Sequence, residues 1–142
     1  MSTTPIIDIE EVATLVRNLL LGVSAVTDLV EDRIVSSDED NPDVEVKYPR
    51  VITEVEGGAG GYQGGIQRLQ MDVYAYSDES KAEAFRVYSA VYLNLQAQRL
   101  WDSGGTISAA GYAREVDRPL GGYDNQSKSW WVRGTWVIMA AG

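Results

Sequence analysis

The chain has 142 residues, 44% of them hydrophobic, and a formal net charge of −9 from 21 acids and 12 bases, the size and composition of one ordinary globular domain. It contains no Cys and no His, which excludes disulfides, thiolate chemistry and Cys-based zinc sites and removes the usual neutral-pH base and commonest metal ligand. Residues 1–46 carry eleven acids against two bases, and residues 47–142 carry ten of each, an imbalance opposite in sign to the basic patch of a sequence-specific nucleic-acid binder.

Residues 1–7 read as a loose N-terminal arm. Asp8 with Glu11 three positions on forms a capping box, and acids there suit a helix N-terminus. Val12, Leu15, Val16, Leu19 and Leu20 then recur at helical spacing up to a stop at Gly22. Ser24 caps a second, short helix to about Asp32, with Val26, Leu29 and Val30 turned inward. Arg33–Val35 is a short strand. Ser36–Glu45 holds five acids and Asn41-Pro42, the composition of a solvated loop. Arg50–Glu56 alternates as a strand, with Val51, Thr53 and Val55 on one side.

Gly57–Gly65 has six of the 14 glycines and reads as a flexible hairpin loop over 57–65. Gln67–Tyr76 alternates: Leu69, Met71, Val73 and Ala75 on one face, Arg68, Gln70, Asp72, Tyr74 and Tyr76 on the other. Ser77-Asp78-Glu79 opens a helix whose apolar stripe is Ala84, Phe85, Tyr88, Val91, Tyr92 and Leu95, ending near Arg99. Thr106–Arg118 is a strand, Pro119–Gln126 a turn, and Ser127–Met139 a final strand. Trp130, Val132, Gly134, Trp136 and Ile138 share one side of that strand; Trp131, Arg133, Thr135 and Val137 share the other. The segregation of strands and helices predicts one α+β domain over 1–142: a mostly antiparallel sheet of four to five strands with helices packed on one face.

The glycine segment matches neither phosphate-loop nor dinucleotide spacing and leads into a strand. The acids Asp38, Glu39, Asp40, Asp43 and Glu45 do not form a calcium loop, because Asp43 stands where that loop needs Gly. They read as a solvent face. No carboxylate pair is singled out for catalysis. No apolar run reaches the ~18–20 residues of a membrane span, and with Arg17 as the first base the N-terminus lacks a secretory signal's positive region. We therefore expect no enzyme activity, cofactor, metal or membrane partner, and look for surfaces. Arg68, Asp72, Tyr74 and Tyr76 on the polar strand face, Tyr62 in the glycine segment, and Trp131 and Arg133 on the last strand are the candidates, since Tyr, Trp and Arg anchor interfaces. The competing expectation is that the N-terminal helix covers that face within the same subunit.

Several stretches carry a resemblance. An N-terminal amphipathic helix leads to Leu29-Val30-Glu31-Asp32-Arg33-Ile34, then an acidic loop, then Tyr48-Pro49-Arg50-Val51-Ile52 opening a strand. Met71-Asp72-Val73-Tyr74-Ala75-Tyr76-Ser77 runs straight into a helix, and a hairpin follows. From about Ile9 to Met139 the chain resembles the tail terminator, or tail completion, family of long-tailed bacteriophages. It departs from that pattern at Glu31-Asp32, where the family has Gly, and at Val35, where it has an aromatic. The resemblance implies a structural virion protein of the tail–neck region, assembled in the host cytoplasm. It implies a homo-oligomer, a hexameric ring that caps the tail tube protein, offers a surface to neck and connector proteins, and lets DNA through without specific binding. An acidic lumen lined by part of the Asp8–Glu45 set would suit that passage. The alternatives are another neck, connector or tail-tube-related ring protein, or a monomeric module that binds carbohydrate or peptide through Trp130 or Trp131.

Overall fold

The computed structural model describes residues 9–36, 46–63, 66–96, 99–100, 110–117 and 119–141. The arm at 1–7, Asp8 of the expected capping box, and Asp38, Glu39, Asp40, Asp43 and Glu45 lie outside them.

Helices α1 (Ile9–Leu21) and α2 (Ser24–Val30) come first, then strands β1 (Ile34–Ser36), β2 (Arg50–Gln63) and β3 (Ile66–Ser77). Helix α3 (Lys81–Leu95) follows, and strands β4 (Arg99–Leu100), β5 (Ala110–Glu115), β6 (Leu120–Asp124) and β7 (Ser129–Ala141) complete the order. The sheet is seven-stranded, ordered β1-β2-β3-β7-β5-β4, with β6 also on β7. Only β1 and β2 run parallel; the other strand pairs are antiparallel. The α+β class and mostly antiparallel sheet are as expected. The strand number is higher, because β4 and β6 are short pieces that sequence alternation does not announce.

The centre of the sheet is β2-β3-β7. Met71 lies opposite Trp136, Val73 opposite Gly134, and Ala75 opposite Val132. Thr53 pairs with Val73 on the other flank. All of these are buried, as are Val51, Leu69, Ala113 and Ile138. The period of two thus puts one apolar face of the sheet under the helices. Val12, Leu15, Val16 and Leu20 of α1 fill the same core, together with Val26 and Val30 of α2 and Ala84, Val87, Tyr88, Val91 and Leu95 of α3. Arg17 Nε donates to the Ile34 carbonyl at 2.7 Å and ties α1 to β1. At Gly22 the backbone N–H returns to the carbonyls of Asn18 and Leu19, closing α1.

Several boundaries differ from expectation. Ser24 does not cap α2: Val23 precedes the helix with no side-chain cap, and the helix stops at Val30, two residues before Asp32. Ser77 does not open α3 but ends β3. Its Oγ accepts from the N–H of Glu79 and Ser80 and donates to Glu83 Oε1 at 2.8 Å. The cap is Ser80, which accepts from the Glu83 N–H at 3.0 Å, and the helix ends at Leu95, before Arg99. Phe85 faces outward and Val87 takes its place in the core. The glycine segment is not a loop throughout, since β2 continues to Gln63. Its pairing shifts register between Gly57 and Tyr62, where extra residues bulge out of the ladder.

Of the expected strand Thr106–Arg118, residues 106–109 and 118 lie outside the described residues, and the strand observed, Ala110–Glu115, ends before Val116 and Asp117; the expected turn Pro119–Gln126 is mostly strand β6. The true turn is Asn125–Lys128, closed by Asp124 Oδ1, which accepts from the Gln126 N–H at 2.9 Å. That bond and the Ser127 hydroxyl hold the Asp124 carboxyl below its usual range. β5 pairs with the second half of β7 and β6 with the first half, so two segments share one edge of a single long strand.

Where α3 crosses β7, the Tyr88 hydroxyl donates to the Glu115 carboxylate. It also accepts from Trp136 Nε1 at 3.1 Å. Glu115 is fixed in turn by its own N–H, which donates to Gln96 Oε1 at 2.8 Å. Burial first, then the bond to Glu115, push the Tyr88 phenol far up from its ordinary value. A polar atom this deep needs such partners, because an unpaired one costs ~1–3 kcal/mol.

Candidate functional site: the open face of the sheet

On the face away from the helices, β3 presents Asp72, Tyr74 and Tyr76. Directly opposite on β7 stand Thr135, Arg133 and Trp131, and on β2 stand Glu54, Ile52 and Arg50. Five of the seven interface candidates, Asp72, Tyr74, Tyr76, Trp131 and Arg133, therefore fall on one contiguous patch. Of Tyr62 and Arg68 only the backbone is described: Tyr62 pairs with Gln67 and Arg68 with Met139, farther out along the same strands. The helix α1 packs on the core face, so it does not cover this patch.

The side chains are ordered by one another. Tyr74 and Tyr76 stack with ring centroids 5.9 Å apart and planes at 16°. Thr135 Oγ1 donates to Asp72 Oδ1 at 3.3 Å. The Trp131 indole lies across Gly122 of β6, where an added Cβ would come within 2.6 Å of the ring. Trp130, on the opposite side of the strand, packs toward the core and meets Tyr123 edge-on at 4.8 Å. The two adjacent tryptophans thus serve different faces, as strand alternation requires.

Burial is the main cause that pushes the Tyr76 phenol up to about 12; the neighbouring Tyr74 adds to it and the Arg50 guanidinium opposes it. The Tyr76 phenol is therefore uncharged at neutral pH, and the patch combines hydroxyls and flat rings with the side chains of Arg50 and Arg133 and of Asp72 and Glu54. It can stack, donate hydrogen bonds and hold a carboxylate. Among the described residues no three His, Cys, Asp or Glu side chains converge as a metal site, and no single helix is long and apolar enough to cross a membrane.

The sequence reading missed the β6 contribution to this patch. Gly122 makes the space for Trp131, and Leu120, opposite Arg133, adds an exposed apolar side chain at the rim. The signal available was Gly121-Gly122 followed by Tyr123, which also fits a turn, and the turn reading prevailed.

No family model and no curated protein matches the sequence. Among solved structures, the chain is similar to one from the virion of a native gene transfer agent (GTA) particle, with TM-score 0.74 and 13% identity. The alignment covers 92% of this chain and 94% of that one. At this identity the likeness is one of fold, and it spans nearly the whole of both chains.

Proposed function

We propose that this chain is a structural virion protein without enzymatic activity, a ring-forming tail terminator that caps the tail tube, joins it to the neck and leaves a channel for DNA. The observation that carries the reading is the open sheet face, a side of the domain on which no described helix packs and which gathers Tyr74, Tyr76, Trp131 and Arg133. Aromatic and arginine side chains of this kind anchor protein interfaces. Supporting it are the fold shared with a chain of a GTA virion and the order of motifs from Ile9 to Met139.

A head-to-tail ring needs two different patches on each subunit, and the open face is one. The acids Asp38, Glu39, Asp40, Asp43 and Glu45 belong in this reading on the lumen, where negative charge keeps passing phosphates from sticking. Reversing their charge should slow DNA exit; normal ejection by the reversed variant overturns the lumen assignment.

The test of the whole reading is light scattering and electron microscopy of the purified chain, alone and with polymerising tube protein. Rings that cap tubes at one end are expected. Rings that ignore tubes would indicate another neck role. A protein that stays monomeric in both conditions overturns the proposal in favour of a binding module.

A further inference from the structure

The sheet has one sealed edge and one bare edge. At the β1 edge the backbone of Ile34 is engaged within the subunit: its N–H donates to the Asp32 carbonyl at 2.8 Å, and its carbonyl accepts from Arg17 Nε at 2.7 Å. On the opposite flank β6 pairs with β7 alone. The register of that pair is unbroken from Leu120 to Asp124, and in an antiparallel strand every second residue turns its backbone groups away from its partner. Among the described residues no strand takes up those groups on β6. The devices that blunt such an edge are missing, since Leu120-Gly121-Gly122-Tyr123 holds no charge, no proline and no bulge. Leu120 and Tyr123 are exposed apolar side chains at this edge.

A groove of about 370 Å³ continues from it. Pro119, the residue before β6, lines the groove together with Phe85, Tyr92 and Leu93 of α3 and Glu115 at the end of β5. Phe85 also closes on the strand itself, because a Cβ at Gly121 would come within 3.3 Å of its ring. Leu93 on the α3 wall is 72% exposed. Among the described residues Glu115 is the one charge that lines the groove, and its carboxylate is held by the Tyr88 hydroxyl. A bare strand edge offers main-chain hydrogen bonds, and an apolar groove beside it takes alternate side chains. Together they form the arrangement that adds an extended peptide to a sheet.

We infer that the β6 edge and its groove receive an extended segment of the tube protein, with apolar side chains at alternate positions and a lysine or arginine where the groove reaches Glu115. The asymmetry of the edges selects this occupant. A second copy has no matching strand to give: its β1 edge is sealed, its β4 is two residues long, and β6 against β6 would be a two-fold contact that closes a dimer instead of a ring. A subunit that accepts a strand at one edge and offers none at the other suits the end of a polymer, where addition must stop. The inference rests on the terminator reading and deepens it by naming the tube contact. The open sheet face stays with the neighbouring copy in the ring.

Hydrogen exchange of the full chain, alone and with polymerising tube protein, tests it. The amides of residues 120–124 that face away from β7 should exchange freely in rings alone and about tenfold more slowly once rings cap tubes, because an amide is protected when it gains a hydrogen bond. L93S changes an exposed side chain, and circular dichroism verifies its fold. It should form rings as wild type does but cap tubes about tenfold more weakly, the loss expected when one leucine is no longer buried. If tubes are capped while the β6 amides still exchange freely, or if L93S caps as well as wild type, this site is wrong and the ring reading stands. Protection of β6 in rings without tube protein gives the edge to a second copy and overturns the tube assignment. If the chain never caps tubes, the terminator reading and this inference fall together.

Discussion

Gly134 of β7 lies directly under the Tyr88 hydroxyl of α3, so close that a Cβ at this position would overlap the phenol oxygen and ring. The helix can sit on the sheet here only because residue 134 has no side chain. Gly134→Ala should therefore destabilise the domain by ~3 kcal/mol, the upper range for overpacking a core. Tyr88→Phe should cost ~1–3 kcal/mol, because it leaves Trp136 Nε1 buried without an acceptor. Urea denaturation measures both. A Gly134→Ala variant as stable as wild type would show that α3 can shift freely on β7.

The Thr53 hydroxyl is buried among the core side chains of β2 with no hydrogen-bond partner. Thr53→Val removes that unpaired group with little change of shape and should stabilise the domain by ~1 kcal/mol. A loss of stability on the same substitution would reveal a partner for the hydroxyl.

Alkaline pH should weaken the fold through Tyr76. Its phenol titrates at about 12 in the fold against 10.0 when exposed. The native state thus holds the proton where the unfolded chain releases it. The contribution is fully present below pH 10 and is lost as pH rises to about 12. Tyr88 is shifted the same way, so Tyr76→Phe should flatten the alkaline fall in stability without abolishing it. Chemical denaturation across that range checks this, and an unchanged slope counts against the burial of Tyr76.

Ser80 should be worth about 1 kcal/mol as the α3 cap, read as the loss on Ser80→Ala in thermal or urea unfolding. Ser77→Ala should cost at least as much. It is fully buried and joins the end of β3 to the first turn of α3 through three hydrogen bonds. If Ser77→Ala is neutral, the strand–helix junction is held by packing alone.

The long alternating segments were legible from residue order. Leu69 to Ala75 and Val132 to Ile138 show their faces by the period of two, and Val12 to Leu20 by the helical period. What was not legible came from tertiary partners. Ser77 looked like a cap because serine favours that position, yet it was claimed by the end of a strand. Hydrophobicity alone puts Phe85 inside, whereas the helical turn puts Val87 there. Leu120–Asp124 became a strand only because β7 is long enough to offer it an edge. The face bearing Tyr74, Tyr76, Trp131 and Arg133 was readable as alternation, but the space for Trp131 depends on Gly122, 9 residues away along the chain and adjacent only through the β6–β7 pairing.

The position of β7 also sets a timetable. β3 gains its neighbour on that side only after residues 130–141 have been synthesised, and until then Met71 and Val73 lack the strand beside them. Half of the open patch, Trp131 and Arg133, is translated in that same late stretch. A chain translated no farther than residue 129 therefore cannot present the completed surface.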